Sequence, residues 1–337
     1  MHQREFPTSC YAAAAYHRRM DFKQLQTFVQ VAELGSFTRA ANVLRVAQPA
    51  LSRQVRALEV ELRQPLFDRN GRGVTLTAAG QRLLAHGRGI LQQLERARQD
   101  LEEQRGAATG LLSLGLPPSI GRTLTAPLVE TFRERFPRAT LTMVEGLSTY
   151  TLEWLAQGRI DCAVVYNAAP APAFELLPVL EETLFLVSAR NGPAGGKLVG
   201  RPVSAAEVAK HELVIPSRPH AIRMRLEMAL AEASLKPRVS LEIESVPAIL
   251  DLVQRHPLHA VLSLNAIAGS GQEDRFRART IIAGRAPLTA SLWIATSAQR
   301  PRGPLLEQTL PLLAGLLKDR LGMAHSIEGR KARKSPA

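Results

Sequence analysis

The sequence predicts an α/β protein in three parts: a small helical domain with a β-hairpin, a long single helix, and a larger domain of strands and helices. Three observations predict this organisation. Apolar residues recur at helical spacing near the start, a stripe with coiled-coil spacing follows, and short apolar runs then alternate with amphipathic segments. A length of 337 residues also suits more than one domain.

The charge of the chain indicates an acidic partner. The formal net charge of +13 suits nucleic acid or an anionic membrane surface. No apolar run approaches the roughly 20 residues of a membrane span, and the first residues lack a signal-peptide core. We therefore expect a cytoplasmic protein that does not bind membranes, with residues 1–19 as a disordered extension. Cys10 and Cys162 give no disulfide framework, and Cys162 in "DCAVVY" is expected to be buried.

Two helices joined by a tight turn open the fold. In "DFKQLQTFVQVAELGS" the apolar residues at i, i+3, i+4 and i+7 form one stripe, which consists of Leu25, Phe28, Val29 and Ala32. Gly35 ends this helix. Ser36 or Thr38 then caps a second, short helix through "TRAANVLRV".

The third helix, from about Gln48 to before Pro65, separates an apolar face from a basic one. At about 100° per residue, one face carries Leu51, Val55, Leu58 and Leu62. The opposite face carries Pro49, Ser52, Arg53 and Arg56, with Gln48 at its edge. Proline is tolerated in the first turn, where its missing N–H has no partner to lose, whereas Ala47 offers no hydroxyl cap.

A basic hairpin follows the third helix. "LFDRNGRGVTLT" predicts two strands joined by an Asn70-Gly71 turn that exposes Arg69 and Arg72. Three helices and such a hairpin form a winged helix-turn-helix. Arginines outnumber acidic residues between Thr38 and Leu76, so positive charge is concentrated in this domain.

The long helix has the spacing of a coiled-coil seam. Steps of four and three residues connect Leu83, Gly87, Ile90, Leu94, Ala97 and Leu101. Gly87 and Gly89 weaken the helix by about 1 kcal/mol each relative to alanine, so packing is needed to hold it. We expect dimerisation through Leu83, Ile90, Leu94, Ala97 and Leu101. The alternative is an amphipathic helix packed on its own domain.

After "RGAATG" the pattern becomes that of a separate α/β domain. Expected strands include "LLSLGL", "ATLTMVEG", "DCAVVY", "ETLFLVS", "ELVIPS", "VSLEIES", "HAVLSLN", "RTIIAG" and "ASLWIAT". Helical stretches between them include 124–136, 152–157, 222–233 and 247–254. This alternation predicts mostly parallel sheets.

The run "LQTFVQVAELGSFTRAANVLRVAQPALSRQVRALEVELRQPLFDRNGRGVTLTAAG" resembles the DNA-binding domain of LysR-type transcriptional regulators. The resemblance extends over about residues 20–321. "IPSRPHAIRMRLE", "EIESVPAIL" and "LEETLFLVS" resemble the nitrogen assimilation control subgroup.

The resemblance implies a domain division. A DNA-binding domain spans 20–78, a linker helix 79–106, and a two-lobed effector domain like type II periplasmic binding proteins 107–321. Lobe I covers about 107–184 and 286–321, lobe II covers about 185–285, and the basic residues 322–337 form a disordered tail.

The resemblance also implies contacts to DNA. Gln48, Pro49, Ser52 and Arg53 are expected at base edges or adjoining phosphates, with Arg56 supporting them. Arginine recognises guanine and glutamine recognises adenine in the major groove. Thr38, Arg69 and Arg72 suit phosphate contacts that position the domain. An isolated arginine is usually a solvated surface charge, and this reading remains for Arg39 and Arg45.

In the effector domain, the resemblance implies a ligand between the lobes. Ser119 and Ser148 lie at expected helix starts, where backbone N–H groups favour an anion. Pro216, Ser217 and Arg218 are expected to face them from lobe II, with Val246 nearby, and a carboxylate effector would suit this lining. In the alternative reading the serines only cap helices, and Arg218 only forms an ion pair between the lobes.

Neither a metal nor a catalytic site is expected. His211, His220, His256 and His259 lack the spacing of a metal site. No phosphate-binding loop, dinucleotide motif or nucleophile elbow occurs, so no cofactor is expected.

The leading hypothesis is a sequence-specific regulator that binds promoter DNA as a dimer of dimers and responds to a small effector, with RNA polymerase as a further partner. Two alternatives remain. One is a binding protein or enzyme of the periplasmic-binding fold with a basic appendage, and the other is a protein that binds DNA without regard to sequence.

Overall fold

The computed structural model describes residues 20–70, 73–103, 110–190, 198–268 and 271–329. The chain divides into two compact units, Met1–Leu94 (the first unit) and Glu95–Ala337 (the second unit). The first unit contains α1 (Phe22–Leu34), α2 (Phe37–Leu44), α3 (Gln48–Leu62), β1 (Phe67–Asn70) and β2 (Gly73–Leu76). A long helix, α4 (Ala78–Glu103), begins in the first unit. This order is that of the predicted winged helix-turn-helix. The predicted extension 1–19 lies outside the described residues.

The first two helices begin and end where the sequence predicts. The Asp21 carboxylate caps α1 by accepting the Gln24 N–H at 2.7 Å. Gly35 ends α1 at a φ of 59°, in the left-handed region that glycine adopts without strain. Ser36, rather than Thr38, caps α2 by accepting the Arg39 N–H at 3.3 Å.

The third helix buries three of its four predicted apolar residues. Leu51, Val55 and Leu58 are fully buried, but the prediction for Leu62 is wrong, since it is 36% exposed. Leu62 is the last residue of α3, and the chain leaves the helix at Arg63 with a φ of 51°, before another turn could pack on the core. No side chain caps α3 at Ala47, as its missing hydroxyl predicts.

The hairpin is held to the helices by aromatic and polar contacts. β1 and β2 pair antiparallel, which confirms the predicted wing. The Phe67 ring lies 5.3 Å from that of Phe28 and 5.8 Å from that of Phe37. The Glu59 carboxylate of α3 accepts the N–H groups of Leu66 and Phe67, at 2.9 and 3.2 Å. The position of the wing is therefore tied to α3.

The predicted stripe along α4 divides into two parts. Leu83 packs against the core of the first unit. At Gly87 an added Cβ would lie 2.9 Å from the Cγ2 of Val29, so α4 and α1 approach closely. These two positions fit the alternative of a helix packed on its own domain. Ile90, by contrast, is 47% exposed.

The second unit contains seven of the described helices and most of the described strands. After α4 its helices are α5 (Pro118–Arg135), α6 (Ser148–Ala156), α7 (Ala205–Val208), α8 (Ala221–Glu232), α9 (Val246–Arg255), α10 (Leu264–Ala268) and α11 (Pro304–Gly329). Its strands are β3 (Gly110–Leu116), β4 (Ala139–Glu145), β5 (Cys162–Tyr166), β6 (Phe174–Ala189), β7 (Val203–Ser204), β8 (Glu212–Ile215), β9 (Arg238–Glu242), β10 (Ala260–Ser263), β11 (Phe276–Ala283), β12 (Ala286–Pro287) and β13 (Thr289–Ser297).

The main sheet is mixed, with the strand order β12-β11-β6-β13-β5-β3-β4; β10 also pairs with β6, and β7 with β11. β3 pairs parallel with β4 and β5, whereas β6 pairs antiparallel with β10, β11 and β13. The prediction of mostly parallel sheets is wrong for this sheet. β11, β12 and β13 follow one another without an intervening helix, and β12 turns back to pair antiparallel with β11.

The strand β6 is the longest strand described, and it takes part in two sets of pairings. Its residues 174–183 pair with β13, and its residues 184–189 pair with β10 and β11. A single strand therefore connects the pairings with β13 to those with β10 and β11. Cys162, at the start of β5, is fully buried as expected. The exact domain and lobe boundaries remain predictions.

The C-terminal helix is longer than the sequence suggested. The predicted disordered tail began at residue 322, but α11 continues to Gly329. Leu317 and Leu321 are fully buried and anchor the helix, and adding residues to an existing helix is easier than starting one. Residues 330–337 lie outside the described part of the chain.

We expect Gly80→Ala to destabilise the first unit. An added Cβ would lie 2.1 Å from the carbonyl oxygen of Leu66, and a backbone atom cannot move aside as a side chain can. A loss of about 1–3 kcal/mol in the free energy of unfolding is expected, measured by far-ultraviolet circular dichroism in urea.

Gly315→Ala in α11 is the matched control, because nothing lies within 4 Å of its added Cβ. It should stabilise the second unit by about 0.5–1 kcal/mol. Trp154 and Trp293, the two tryptophans of the chain, lie in the second unit, so tryptophan fluorescence follows that unit. Equal stability of Gly80→Ala and the natural chain would contradict the close approach.

Candidate DNA interface and ligand site

The face of α3 opposite the core is open to solvent. Gln48, Pro49, Arg53 and Arg56 are exposed, and Ser52 is half-buried. Burial of every third or fourth residue on the other face fixes this orientation, because side chains of one helix cannot rotate independently around its axis. The structure thus places the four residues predicted at base edges or phosphates, and the supporting Arg56, on one accessible face.

The two arginines of this face, Arg53 and Arg56, form no ion pair with a carboxylate among the described residues. Thr38, at the start of α2, is exposed as well. An exposed hydroxyl and unpaired guanidinium groups suit phosphates and guanine edges. Arg39 and Arg45 are also exposed, which fits both readings given for them.

Sequence reasoning missed one basic residue close to α3. Lys23 lies in α1 but lines an open pocket of about 340 Å³ together with Arg53 of α3. The remaining lining residues are Asp21, Gln24, Ala50, Gln54 and Ala57. α1 is tied to α3 here by the Thr27 hydroxyl, which donates to the Gln54 side-chain oxygen at 2.7 Å. Only the tertiary packing places Lys23 beside Arg53.

The wing is described only in part. Arg72, with Gly71, lies outside the described residues, and the side chain of Arg69 is also not described. The predicted phosphate contacts of Arg69 and Arg72 therefore stay predictions.

In the second unit, both predicted effector serines lie near the same tyrosine. Ser119 lies in the first turn of α5, and its side chain lowers the pKa of the Tyr166 hydroxyl against the larger effects of burial and Glu182. Ser148 begins α6, and its Oγ accepts the backbone N–H of Tyr166 at 2.9 Å. Tyr166 ends β5, between the two serines. Sequence reasoning missed this residue because nothing in its local pattern distinguishes it from a core aromatic.

The alternative reading, in which the serines only cap helices, does not describe their contacts. The N-cap residues are Pro117 for α5 and Leu147 for α6, and neither makes a side-chain capping bond. Ser119 and Ser148 lie one or two residues inside the helices. The Ser148 hydroxyl instead accepts the N–H of Tyr166.

Tyr166 in turn joins a buried polar network. Its hydroxyl donates to one carboxylate oxygen of Glu182, and the Asn265 amide donates to the other. Only 5% of Tyr166, 1% of Glu182 and 7% of Asn265 is exposed. Burial raises the pKa of the Tyr166 hydroxyl well above its ordinary value, and the charge of Glu182 acts in the same direction. Tyr166 therefore remains a hydrogen-bond donor at all ordinary pH values.

Two of the four predicted residues of lobe II, Ser217 and Arg218, contact carboxylates. The Ser217 hydroxyl donates to Glu244. The Arg218 guanidinium pairs with Glu227 of α8 at 3.0 Å, within the same predicted lobe rather than across the cleft. Val246 is half-buried in the first turn of α9. An anionic ligand would have to compete with these carboxylates.

A second arginine reinforces this arrangement. Arg223, only 8% exposed, pairs with Glu227 at 2.9 Å and with Glu242 at 2.6 Å, and donates to the Pro216 carbonyl at 3.1 Å. Burial opposes the charge of Glu227, but hydrogen bonds from Arg223 and Arg218 outweigh it and lower the pKa of this carboxyl. Glu227 is thus held ionised between the two arginines.

The two predicted lobes meet close to Tyr166. The Asn167 amide donates to the Ala221 carbonyl at the start of α8, at 3.5 Å, and accepts the Ser291 N–H at 2.9 Å. The "IPSRPH" segment therefore ends beside the residue that follows Tyr166. A separate cavity of about 460 Å³, lined by Pro170, Ala171, Pro172, Phe174, Leu176 and Trp293, contains none of the predicted effector residues.

The histidines do not build a metal site within the described residues. The rings of His211 and His259 lie 4.1 Å apart, but the described part of the chain holds no group of three or more potential ligands. Within the same part, no helix is long and apolar enough to cross a bilayer.

Two family profiles match this chain. The "Bacterial regulatory helix-turn-helix protein, lysR family" profile matches residues 22–81, and the "LysR substrate binding domain" profile matches residues 105–317. The second match covers more than half of the chain. The chain belongs to the LysR family. It is a DNA-binding transcription regulator with an effector-binding domain, and the alternative of a binding protein or enzyme with a basic appendage is not favoured.

Curated relatives carry the same description. The chain is 37% identical over 231 residues to the nitrogen assimilation regulatory protein nac of Escherichia coli, covering 68% of this chain and 74% of that protein. The nac protein of Klebsiella aerogenes is 36% identical over the same shares. The resemblance to this subgroup is thereby confirmed.

Solved LysR-type structures share the fold. Full-length CbnR complexed with its target DNA has a TM-score of 0.65 at 24% identity, over 88% of this chain and 100% of that one. A full-length OxyR variant of Pseudomonas aeruginosa has a TM-score of 0.64 at 22% identity, over 90% and 96%. These likenesses confirm the predicted fold class of an N-terminal winged helix-turn-helix and a C-terminal effector domain.

We expect Arg53→Ala to weaken operator binding at least tenfold, since a lost base contact costs about 1–3 kcal/mol. Binding to random DNA should change little, and the salt slope should fall by no more than about 1. Fluorescence anisotropy at several salt concentrations measures both. Arg39→Ala is the control, and any loss there should be equal on both DNAs. An equal loss of affinity for operator and random DNA in Arg53→Ala would show that Arg53 contacts phosphates and not bases.

We expect His220→Asn to make the second unit less sensitive to acid. Burial lowers the pKa of His220, against an opposing effect of Glu244. The unfolded chain therefore binds a proton before the folded chain does, and stability falls as the pH drops below the ordinary value of about 6.5. Asparagine removes the titration and keeps an N-cap acceptor for α8, where His220 now accepts the Ile222 N–H at 3.3 Å.

The measurement is urea unfolding, followed by tryptophan fluorescence, at about pH 7.5 and about pH 5.5. The loss of stability between the two should be smaller in His220→Asn than in the natural chain. His256→Asn is the control, since His256 is exposed. Equal losses in all three chains would show that His220 does not titrate differently on folding.

Proposed function

We propose that this chain binds promoter DNA as a homo-oligomer, reads its operator with α3, and changes its hold on DNA when a small molecule binds near Ser119 and Ser148. The observation that carries the proposal is the exposed, unpaired basic face of α3 opposite the fully buried Leu51, Val55 and Leu58. The major groove of B-DNA is wide enough for one helix with such side chains.

The assembly is proposed to form through α4. Ile90 and Ala97 are exposed, and Leu94 is half-buried, on the seam that the heptad-like spacing predicts. The side chain of Leu101 is not among those described. Leu83 already packs against the core of its own unit, so we expect it to contribute least to the contact between chains. The LysR resemblance further suggests a dimer of dimers, in which several copies of α3 grip separated half-sites and bend the DNA.

The effector is proposed to bind beside Ser119 and Ser148, near Tyr166. The effector would bind one arrangement of the lobes, open or closed, more tightly than the other, and would thereby shift the chain toward that arrangement. The donors of this site come from Ser148 and the start of α6, while the lobe II residues Ser217 and Arg218 are already bound to carboxylates. Closure would change how the dimers are placed on DNA and hence the access of RNA polymerase. No catalytic activity is proposed, in keeping with relatives named as regulators.

The test is a footprint of the purified chain upstream of its own gene and of its neighbours. We expect protected half-sites separated by about one helical turn or a multiple of it, with much weaker binding to scrambled DNA at the same salt concentration. Equal affinity for operator and scrambled DNA would favour sequence-neutral binding and contradict the proposal.

We expect Ile90→Glu to dissociate the oligomer, because a carboxylate at the seam would have to be buried against its own symmetry copy. Sedimentation velocity should show a smaller species, and operator affinity should fall at least tenfold as paired half-sites lose simultaneous contact.

Met228→Glu is the control, since Met228 is an apolar residue of α8 that is 57% exposed in the second unit. It should sediment as the natural chain does. An Ile90→Glu chain of unchanged size would show that α4 does not hold the assembly together.

A further inference from the structure

The strand β11 has arginines on one face and apolar residues on the other. Phe276 and Ala278 are buried, whereas Arg277 is exposed and Arg279 is half-buried. Side chains of a strand alternate between its faces, so the two arginines lie on the face away from the core, about 6–7 Å apart along the strand. Arg275, also exposed, directly precedes the strand. Positive charge therefore follows β11 in a row.

The side chain of Arg277 lies along the backbone of a neighbouring segment. The Gly200 N–H donates to the Ala278 carbonyl at 2.8 Å, so residues 198–202 run beside β11. An added Cβ at Gly200 would lie 2.8 Å from the Nε of Arg277. Glycine at this position thus leaves the space in which the Arg277 side chain crosses the segment, and the arginine stays exposed.

Arg279 has a different role, because its charge is neutralised. Its guanidinium pairs with Glu207 at 2.6 Å and donates to the carbonyl groups of Arg201 and Pro202, at 3.1 and 3.4 Å. These bonds fix the backbone of Arg201 beside β11, and the Arg201 side chain is exposed. Arg279 therefore positions a further arginine at this edge of the sheet.

Three exposed arginines of this edge have no ion-pair partner. Within the described ranges, no carboxylate forms an ion pair with Arg201, Arg275 or Arg277, which we call the arginine row. Glu273 and Asp274 come directly before Arg275, but neither is in an ion pair in this part of the chain. Like charges held close together repel each other, so the arginine row favours an anionic partner.

The arrangement of the arginine row fits a linear polyanion. A small anion meets its donors at one point, whereas these arginines are spread along the edge formed by β11 and residues 198–202. Guanidinium groups bind phosphates through paired, charge-assisted hydrogen bonds. The helix-turn-helix of the same chain binds DNA, so a duplex is present at high effective concentration for the second unit. DNA is therefore the polyanion most available to this surface.

We propose that the arginine row is a second DNA contact of this regulator, which binds backbone phosphates without regard to sequence. This goes beyond the proposed function, in which α3 of the first unit reads the operator. Phosphate contacts add affinity but do not distinguish sequences. The ratio of the affinities for operator and random DNA is then determined by the first unit alone.

The experiment compares the natural full-length chain with Arg275→Ser/Arg277→Ser. Fluorescence anisotropy at several salt concentrations gives the affinity and the salt slope on a duplex that extends the operator by several helical turns, and on a random duplex of equal length. Each lost phosphate contact lowers the slope by about 0.9, so we expect a fall of about 2 on both duplexes, with at least about a tenfold loss of affinity at low salt concentration. An unchanged slope overturns the inference.

Arg135→Ser/Arg138→Ser is the matched control, since it removes the same charge elsewhere in the second unit. These two exposed arginines lie at the end of α5 and directly before β4. In the main sheet β4 is the last strand at the end opposite to β11 and β12. The slope should stay that of the natural chain. Equal falls in both double variants would show that net charge, and not the arginine row, is responsible, and would overturn the inference.

Arg275→Lys/Arg277→Lys separates the charge from other effects of substitution. Lysine keeps the charge and binds phosphate as a point charge, so the slope should equal that of the natural chain. A slope as low as that of the serine variant would contradict the phosphate contacts.

Competition with poly-L-glutamate tests an acidic protein as the partner. If the natural chain binds this polymer, the serine variant does not, and both have the same slope on DNA, the arginine row binds acidic proteins and the inference is overturned. Equal affinity of the natural chain for operator and random DNA would contradict the proposed function instead. The difference in slope between the natural chain and the serine variant would still decide the inference on the arginine row.

Discussion

The second unit depends on one strand that is paired in two ways. Up to residue 183 β6 is fixed by β13, and beyond it by β10 and β11. Glu182 lies just before this change of partners, and Asn265 follows β10, so a buried carboxylate is bonded from both sides of the change. Buried polar groups need their partners more than exposed ones do. The network therefore links the two sets of pairings, close to the proposed effector site.

The first unit is governed by the packing of α3. Leu51, Val55 and Leu58 are fully buried, so the exposed face of the helix has no freedom to turn inward. Glu59 holds the wing to the same helix, and Thr27 holds α1 to it. The predicted base-reading side chains, the wing and the first helix are thus all positioned by α3.

Much of the fold follows from local patterns, and the failures have local causes. Helical spacing and caps such as Asp21 and Gly35 predicted the first helices because those signals act within a few residues. The predicted burial of Leu62 is wrong because the spacing of apolar residues does not show where a helix ends. The prediction of a parallel sheet is wrong because the general alternation of strands and helices does not hold for β11, β12 and β13, which have no helix between them. Lys23 and Tyr166 were missed since their roles arise only when distant segments meet. The family resemblance indicated Ser119 and Ser148, but the bond between Ser148 and the N–H of Tyr166 could not be predicted, since it joins segments that meet only in the folded chain.

The buried contact between Tyr166 and Glu182 joins residues of two different strands, β5 and β6. A change in either residue alone would leave a polar group in the interior without its partner. Substitutions at these two positions are therefore expected to occur together in paralogues. Such paired changes would leave α3 and its exposed side chains as they are.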